Sequence, residues 1–293
     1  MKYRVRHTTR YDYSEEVPIC YNQARLTPRN TPRQQLVSTA LEVLPVTPVP
    51  GRRREDYFGN EVTYFTVQEP HKTLSIVVTS DVLVAAQTKP DPKETMSWDA
   101  VREHVATAQK ENAMLAYQFA FDSLFARTTP ELERYARESF PVGRPLLEGV
   151  LDLTRRIHGE FTYDPTATTI ATPLEEVVRA RRGVCQDFAH LEIACLRALG
   201  LPARYVSGYI YGGNGDNTHP LTGAWASHAW LSVFVPEVGW VDVDPTNNML
   251  PEREHITLAW GRDYEDVSPI RGVVLGGGEH TLTVHVDITR LEE

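Results

Sequence analysis

The sequence predicts an α+β protein in which an antiparallel β domain precedes a core of one helix packed on an antiparallel sheet. Three observations predict it. The first ~90 residues alternate in short runs broken by prolines, the next stretch carries amphipathic helical spacing, and a helix followed by strands fills the rest. At 293 residues the chain is long for a single core and suits two domains. The expected division is 1–90 for the β domain, 91–145 for a helical connection and 146–293 for the core with a C-terminal strand.

Within the first part, Lys2 to Tyr13, Leu36 to Leu44, Asn60 to Val67 and Leu74 to Val84 read as strands. Pro28, Pro32, Pro45, Pro48 and Pro50 fall between them, where a missing N–H harms no ladder. Ser97 to Glu111, Pro130 to Glu138 and Pro145 to Ile157 read as helices. Thr172-Pro173-Leu174-Glu175 has the form of a capping box with proline at the first helical position, which predicts a helix from Pro173 to about Ala180. The next helix should start at or just after Cys185 and end near Gly200. Strands are expected at Ala203 to Tyr211, His228 to Val235, Trp240 to Asp244 and Thr281 to Ile288.

Composition narrows the function. The net charge of -9 and pI of about 5.6 argue against nucleic acid or an anionic membrane as partner. The arginines at Arg25, Arg29, Arg33 and Arg52 to Arg54 read as solvated loop charges. No apolar run approaches a membrane span, and the first residues do not read as a signal peptide. Three cysteines make no disulfide framework, so a cytoplasmic, reducing location is expected.

In that setting a cysteine at a helix start draws attention. Within Gly183-Val184-Cys185-Gln186-Asp187, the Cys185 sulfur would meet the positive end of the helix dipole and free backbone N–H groups, which favour thiolate and can receive an oxyanion. Cys195 sits mid-helix among apolar residues and reads as inert, and Cys20 as core or loop. A thiol nucleophile needs a base and the base an orienter. His228 opens one strand and Asp244 ends the next, before Pro245, which cannot donate to a ladder. An odd hairpin loop would put both on one face, and Glu237-Val238-Gly239 offers three residues. Asp242, on the same face, is the rival orienter. Gln186, Asp187, Tyr163, Tyr209 and Trp225 are candidates for shaping the site. Thr246 is expected to cap the turn after Pro245, and His190 to be a packed histidine. A metal site built from Cys185, His190, Cys195, His219 and His228 is disfavoured, because no CxxC or HExxH spacing occurs.

Gly183 to His190 with Ala194 to Tyr209 resembles the core of bacterial transglutaminase-like proteins, a family also described as candidate cysteine proteases. Ser227 to Trp230 and Gly239 to Asn247 resemble its histidine and aspartate segments. Arg25 to Arg29 and Gly261 to Tyr264 are similar to further family stretches. The resemblance implies a papain-like core with Cys185 as nucleophile, His228 as base and Asp244 as orienting acid, working through a thioester and without cofactor or metal. It implies a peptide or amide substrate and a peptidase or amidase, with protein cross-linking or a non-catalytic scaffold as the alternatives.

Overall fold

The computed structural model describes residues 1–45, 52–86, 89–107, 110–213, 221–223 and 226–291. Six strands open the chain: β1 (Lys2–Val17), β2 (Ile19–Ala24), β3 (Gln34–Leu44), β4 (Arg52–Glu55), β5 (Glu61–Val67) and β6 (His71–Val84). Helices α1 (Trp98–Ala106), α2 (Glu111–Tyr117), α3 (Pro130–Arg137) and α4 (Leu146–Glu160) follow. Then come β7 (Thr162–Tyr163), α5 (Leu174–Ala180), β8 (Arg182–Gly183), α6 (Cys185–Ala198), β9 (Ala203–Ile210), β10 (Ser227–Val235), β11 (Gly239–Val243) and β12 (His255–Gly261). The chain closes with α7 (Tyr264–Val267), β13 (Ile270–Leu275) and β14 (His280–Leu291).

Two four-stranded sheets, ordered β14-β1-β6-β3 and β13-β2-β5-β4, form a sandwich whose inner faces supply Tyr3, Val5, Cys20, Phe65, Ile76 and Val82 to the core. The alternation along β1, buried at Tyr3, Val5, His7 and Thr9, is the period of a strand with one face covered. A third sheet, β11-β10-β9-β12, is antiparallel throughout and packs against α6. Helix α6 is apolar nearly all round, and eleven of its residues from Asp187 to Arg197 are buried, which suits a helix enclosed between the sheet and α3, α4 and α5.

The sequence leaves open which sheet the C-terminal strand joins. Residues 270–291 belong to the sandwich rather than to the core: β13 pairs with β2 and β14 with β1, over Lys2↔Leu291 to Tyr13↔His280. Edge strands of both sheets thus return from the far end of the sequence. The capping box expected at Thr172 does not form. Pro173 is the N-cap, Thr172 Oγ1 instead accepts from Thr169 N at 2.9 Å, and α5 begins at Leu174. The β10–β11 loop holds three residues, 236–238, because Val235 faces Gly239. The left-handed positions are Glu237 and Gly239.

Side-chain amides join the sandwich to the third sheet. Asn60, fully buried after β4, accepts from Trp260 N at 3.0 Å and donates to Trp260 O at 2.9 Å, standing in for a neighbouring strand along β12. Its Oδ1 also receives Arg29 Nη1, and Arg29 and Arg204 lie over the Trp260 ring at 3.6 and 3.8 Å. An Asn60→Leu substitution keeps the branched shape and removes the three hydrogen bonds to Trp260 and Arg29. It should lower stability by about 2–4 kcal/mol, read as an earlier urea midpoint at unchanged slope.

Candidate active site

Helix α6 begins at Cys185, with Val184 as an extended N-cap, so the thiol stands in the first turn and is partly exposed. The short parallel pair β7–β8 sets the approach: Tyr163 lies opposite Gly183, and Asp164 N donates to Gly183 O at 2.9 Å. Asp187 closes the turn by accepting from Val184 N at 2.8 Å and from Thr168 Oγ1 at 2.6 Å. A Cβ at residue 183 would stand 2.7 Å from Asp187 Oδ2, so glycine there leaves room for the carboxylate. Burial raises the Asp187 pKa against these two hydrogen bonds.

His228 and Asp244 reach one another across β10 and β11. The register Val235↔Gly239 gives both the same parity, and Asp244 lies just beyond the strand, in an isolated bridge with Met249. His228 Nε2 is 2.9 Å from Asp244 Oδ2, and neither side chain has any solvent exposure. The carboxylate accepts five hydrogen bonds. His228 Nε2, His255 Nε2 at 3.0 Å and Asn247 Nδ2 at 2.8 Å converge on Oδ2, while Thr246 N at 2.9 Å and Asn247 N at 3.2 Å reach Oδ1. Burial disfavours its charge, but His228 and the two imidazole hydrogen bonds hold its pKa far below the usual carboxylate range.

Cys185 lies close enough to His228 to act on its charge. Burial lowers its proton affinity, yet Asp244 and then Cys185 outweigh that and hold the His228 pKa well above the ordinary histidine range. Nδ1 itself has no hydrogen-bond partner among the described residues. With Nε2–H given to the aspartate, Nδ1 is the nitrogen left to exchange a proton with the thiol, bare in the neutral ring and protonated in the imidazolium that the raised pKa favours. Gly223 borders that nitrogen at φ +92°, and a Cβ on it would stand 2.4 Å from Nδ1. Asn247 ties this loop down, accepting from Thr222 N at 2.9 Å and donating to Thr222 O at 3.2 Å.

The remaining candidates separate by geometry. Asp242 is engaged elsewhere, by Ser232 Oγ and by Arg33 Nη2 at 2.8 Å. Tyr163 is about a third exposed and near enough to Cys185 that the thiol, after burial, helps raise its pKa. Gln186 and Asp187 line, with His190 and Phe125, an adjoining cavity of about 300 Å³. Tyr209 is buried at the sandwich, its hydroxyl 3.0 Å from His7 Nδ1, and so braces β9 instead of facing the thiol. His190 is buried between Phe125 and Tyr205 and accepts from Tyr264 N at 3.2 Å. Thr246 contributes its backbone N–H to Asp244, while its hydroxyl has no partner among the described residues. Trp225 and His219 lie outside the described residues. Cys20 and Cys195 are fully buried.

His255 and Asn247 went unassigned in the sequence reading. Asn247 belongs to the aspartate segment, and its place three residues after Asp244 in a turn was a usable signal. His228, Asp244 and His255 offer ligand atoms within 4.8 Å of one another, a grouping that also suits a metal ion. Here both imidazole nitrogens instead point at a single carboxylate oxygen, at hydrogen-bond distance.

Beneath the site lies Glu192, two turns along α6 from Cys185 and fully buried. It receives Thr154 Oγ1 at 2.7 Å, while its second oxygen has no partner among the described residues. Burial and, to a lesser degree, Asp244 push its pKa up to about 8, against the Thr154 hydrogen bond. The folded state therefore keeps a proton that the unfolded chain loses above about pH 4.3, so stability falls as pH rises from there to about 8. Glu192→Gln should flatten that decline, gaining at most roughly 4 kcal/mol over wild type near pH 8. Parallel urea titrations at pH 5 and 8 measure it, and an unchanged pH slope would count against a protonated Glu192.

Comparisons with known proteins identify the family and the fold. Residues 3–83 match the bacterial transglutaminase-like N-terminal region, and residues 134–245 match the transglutaminase-like superfamily. The chain is 40% identical over 301 residues to uncharacterised proteins of Mycobacterium tuberculosis and Mycobacterium bovis, covering 99% of this chain and 93% of theirs. It is 32% identical over 130 residues to a protein-glutamine gamma-glutamyltransferase of Pseudomonas aeruginosa, a stretch covering 38% of this chain and 20% of that protein. A crystal structure from Cytophaga hutchinsonii, catalogued as a candidate cysteine protease, superposes with a TM-score of 0.77 at 23% identity, covering 100% of this chain and 91% of that one. The chain belongs to the transglutaminase-like superfamily, with the bacterial transglutaminase-like N-terminal region ahead of its core.

Proposed function

We propose that the chain is a cysteine peptidase or amidase that cleaves an amide through a thioester on Cys185. The observation that carries this reading is the buried His228–Asp244 pair beside a partly exposed thiol at a helix start, near enough that Cys185 helps raise the His228 pKa. The raised His228 pKa favours an imidazolium whose Nδ1 already holds the thiol proton, and the Cys185 thiolate attacks the carbonyl carbon, forming the S–C bond and an oxyanion. Free N–H groups of the first α6 turn can hold that oxyanion. As the C–N bond breaks, the imidazolium gives its proton to the leaving amine. Water, deprotonated by the same nitrogen, then displaces the thiolate and frees the acid. The buried carboxylate keeps the ring in its tautomer and balances the imidazolium.

The name of the Pseudomonas relative supports a second ending, in which an amine in place of water takes the acyl group and a new amide forms. The substrate on either ending is a peptide or amide. A cytoplasmic location belongs to the same proposal, supported by three free thiols. No helix among the described residues is long and apolar enough to cross a membrane.

Limiting iodoacetamide at neutral pH, followed by mass spectrometry, tests the core of the reading. Cys185 should be alkylated well ahead of the buried Cys20 and Cys195, and a His228→Ala variant should lose the preference. Uniform labelling would favour a scaffold that merely keeps the fold. On a peptide or amide substrate, Cys185→Ala should abolish turnover with the fold intact. Asp244→Asn should lower kcat on the order of 10²–10⁴-fold, less than loss of the thiol.

A further inference from the structure

We infer that His255 is a positioning residue for the Cys185–His228–Asp244 constellation, and that the N-terminal sandwich is the body that seats it; the inference rests on the acyl-transfer reading. His255 lies on β12, outside the three family segments, and is fully buried with Nε2 3.0 Å from Asp244 Oδ2, the oxygen that also receives His228. An ionised carboxylate only accepts, so both rings must carry their proton on Nε2. His255 Nδ1, bare in that tautomer, has no partner among the described residues. Trp230 packs both rings, stacking on His228 at 6.0 Å and meeting His255 edge-on at 5.1 Å. The carboxylate is thereby pinned from two sides in the plane that presents Oδ2 to His228.

His255 holds this place because the sandwich holds β12. Gln34, buried at the start of β3, donates to Thr257 O at 2.7 Å and accepts from Thr257 N at 2.8 Å, two residues beyond His255. Arg29 N adds a bond to the same carbonyl at 3.2 Å. Arg33 grips both sides of the aspartate turn, with Nη2 on Asp242 at 2.8 Å and Nη1 on Glu252 O at 2.7 Å. The loop from Arg29 to Gln34 therefore fixes the strand segments that carry Asp244 and His255.

The test uses the full chain and the variants His255→Gln, His255→Asn and Gln34→Leu. A glutamine amide reaches the place of Nε2, whereas an asparagine amide reaches only that of Nδ1. Two readouts are taken: the rate of Cys185 alkylation by iodoacetamide, and the imidazole N–H resonances in proton–nitrogen spectra. The wild type should show two deshielded, slowly exchanging ring N–H signals, from His228 and His255. His255→Asn should lose one, shift the other and slow alkylation about tenfold or more, while His255→Gln keeps the His228 signal in place and alkylation within about threefold. Gln34→Leu should shift both signals and fall between the two. A His255→Asn variant with the wild-type rate and an unmoved His228 signal would overturn the inference, as would a Gln variant no better than Asn. If wild-type Cys185 is not preferentially alkylated, the acyl-transfer reading fails, and the N–H signals still decide whether His255 orients Asp244.

Discussion

A carboxylate with no access to water is the constraint on which the rest of the site depends. Burying an ionised group is expensive unless donors replace its hydration, and Asp244 has five. They come from β10, from β12 and from the turn that follows β11, so three segments must arrive together before the charge is tolerable. Pro245 ends the ladder and turns the backbone so that Thr246 and Asn247 aim their N–H groups back at the side chain. Asn247 then carries the constraint outward to the loop beside His228 Nδ1. Glu192 shows the other resolution of the same problem. With one hydroxyl in place of five donors, it is favoured as the neutral acid instead.

Part of this arrangement was legible because it is local. A cysteine after Gly183-Val184 with Asp187 three residues past the N-cap marks a helix start, and the count of residues between His228 and Asp244 fixes their common face once an odd loop is granted. The choice between Asp242 and Asp244 was not local. Both share parity, and what separates them is Arg33, some two hundred residues earlier, which takes Asp242 for the sandwich. His255 was illegible for a related reason. Nothing in Glu254-His255-Ile256-Thr257 marks a functional histidine, and only the strand order β11-β10-β9-β12 with the reach of Trp230 brings it beneath Asp244. Arg29 reads as a solvated loop charge, Asn60 as the start of a strand and Gln34 carries no signal, yet they stand in for a missing strand along β12.

Tyr209 shows how periodicity misleads when both faces of a sheet are covered. Every residue of β9 is buried, so burial along the strand does not mark which tyrosine lies near the thiol. Tyr205, four residues earlier and so on the same face of β9, is the tyrosine close enough for Cys185 to act on, while Tyr209, further along, bonds His7 on β1. The aromatic residues of such a strand can be assigned to one end or the other only through their partners.

The return of β13 and β14 bears on how far the two parts can be separated. Each sandwich sheet takes one edge strand from beyond the third sheet, through pairings that span more than two hundred residues. A chain cut between the sandwich and the core would leave β1 and β2 with open edges in place of those ladders, and open edges invite pairing with other chains. It would also strip β12 of the amides of Gln34 and Asn60, leaving N–H and C=O groups of Thr257 and Trp260 without partners in a buried interface. Both losses point the same way. The sandwich and the core share one continuous hydrophobic cluster, and the body that the returning ladders complete also holds, through Gln34 and Asn60, the strand that carries His255 to Asp244.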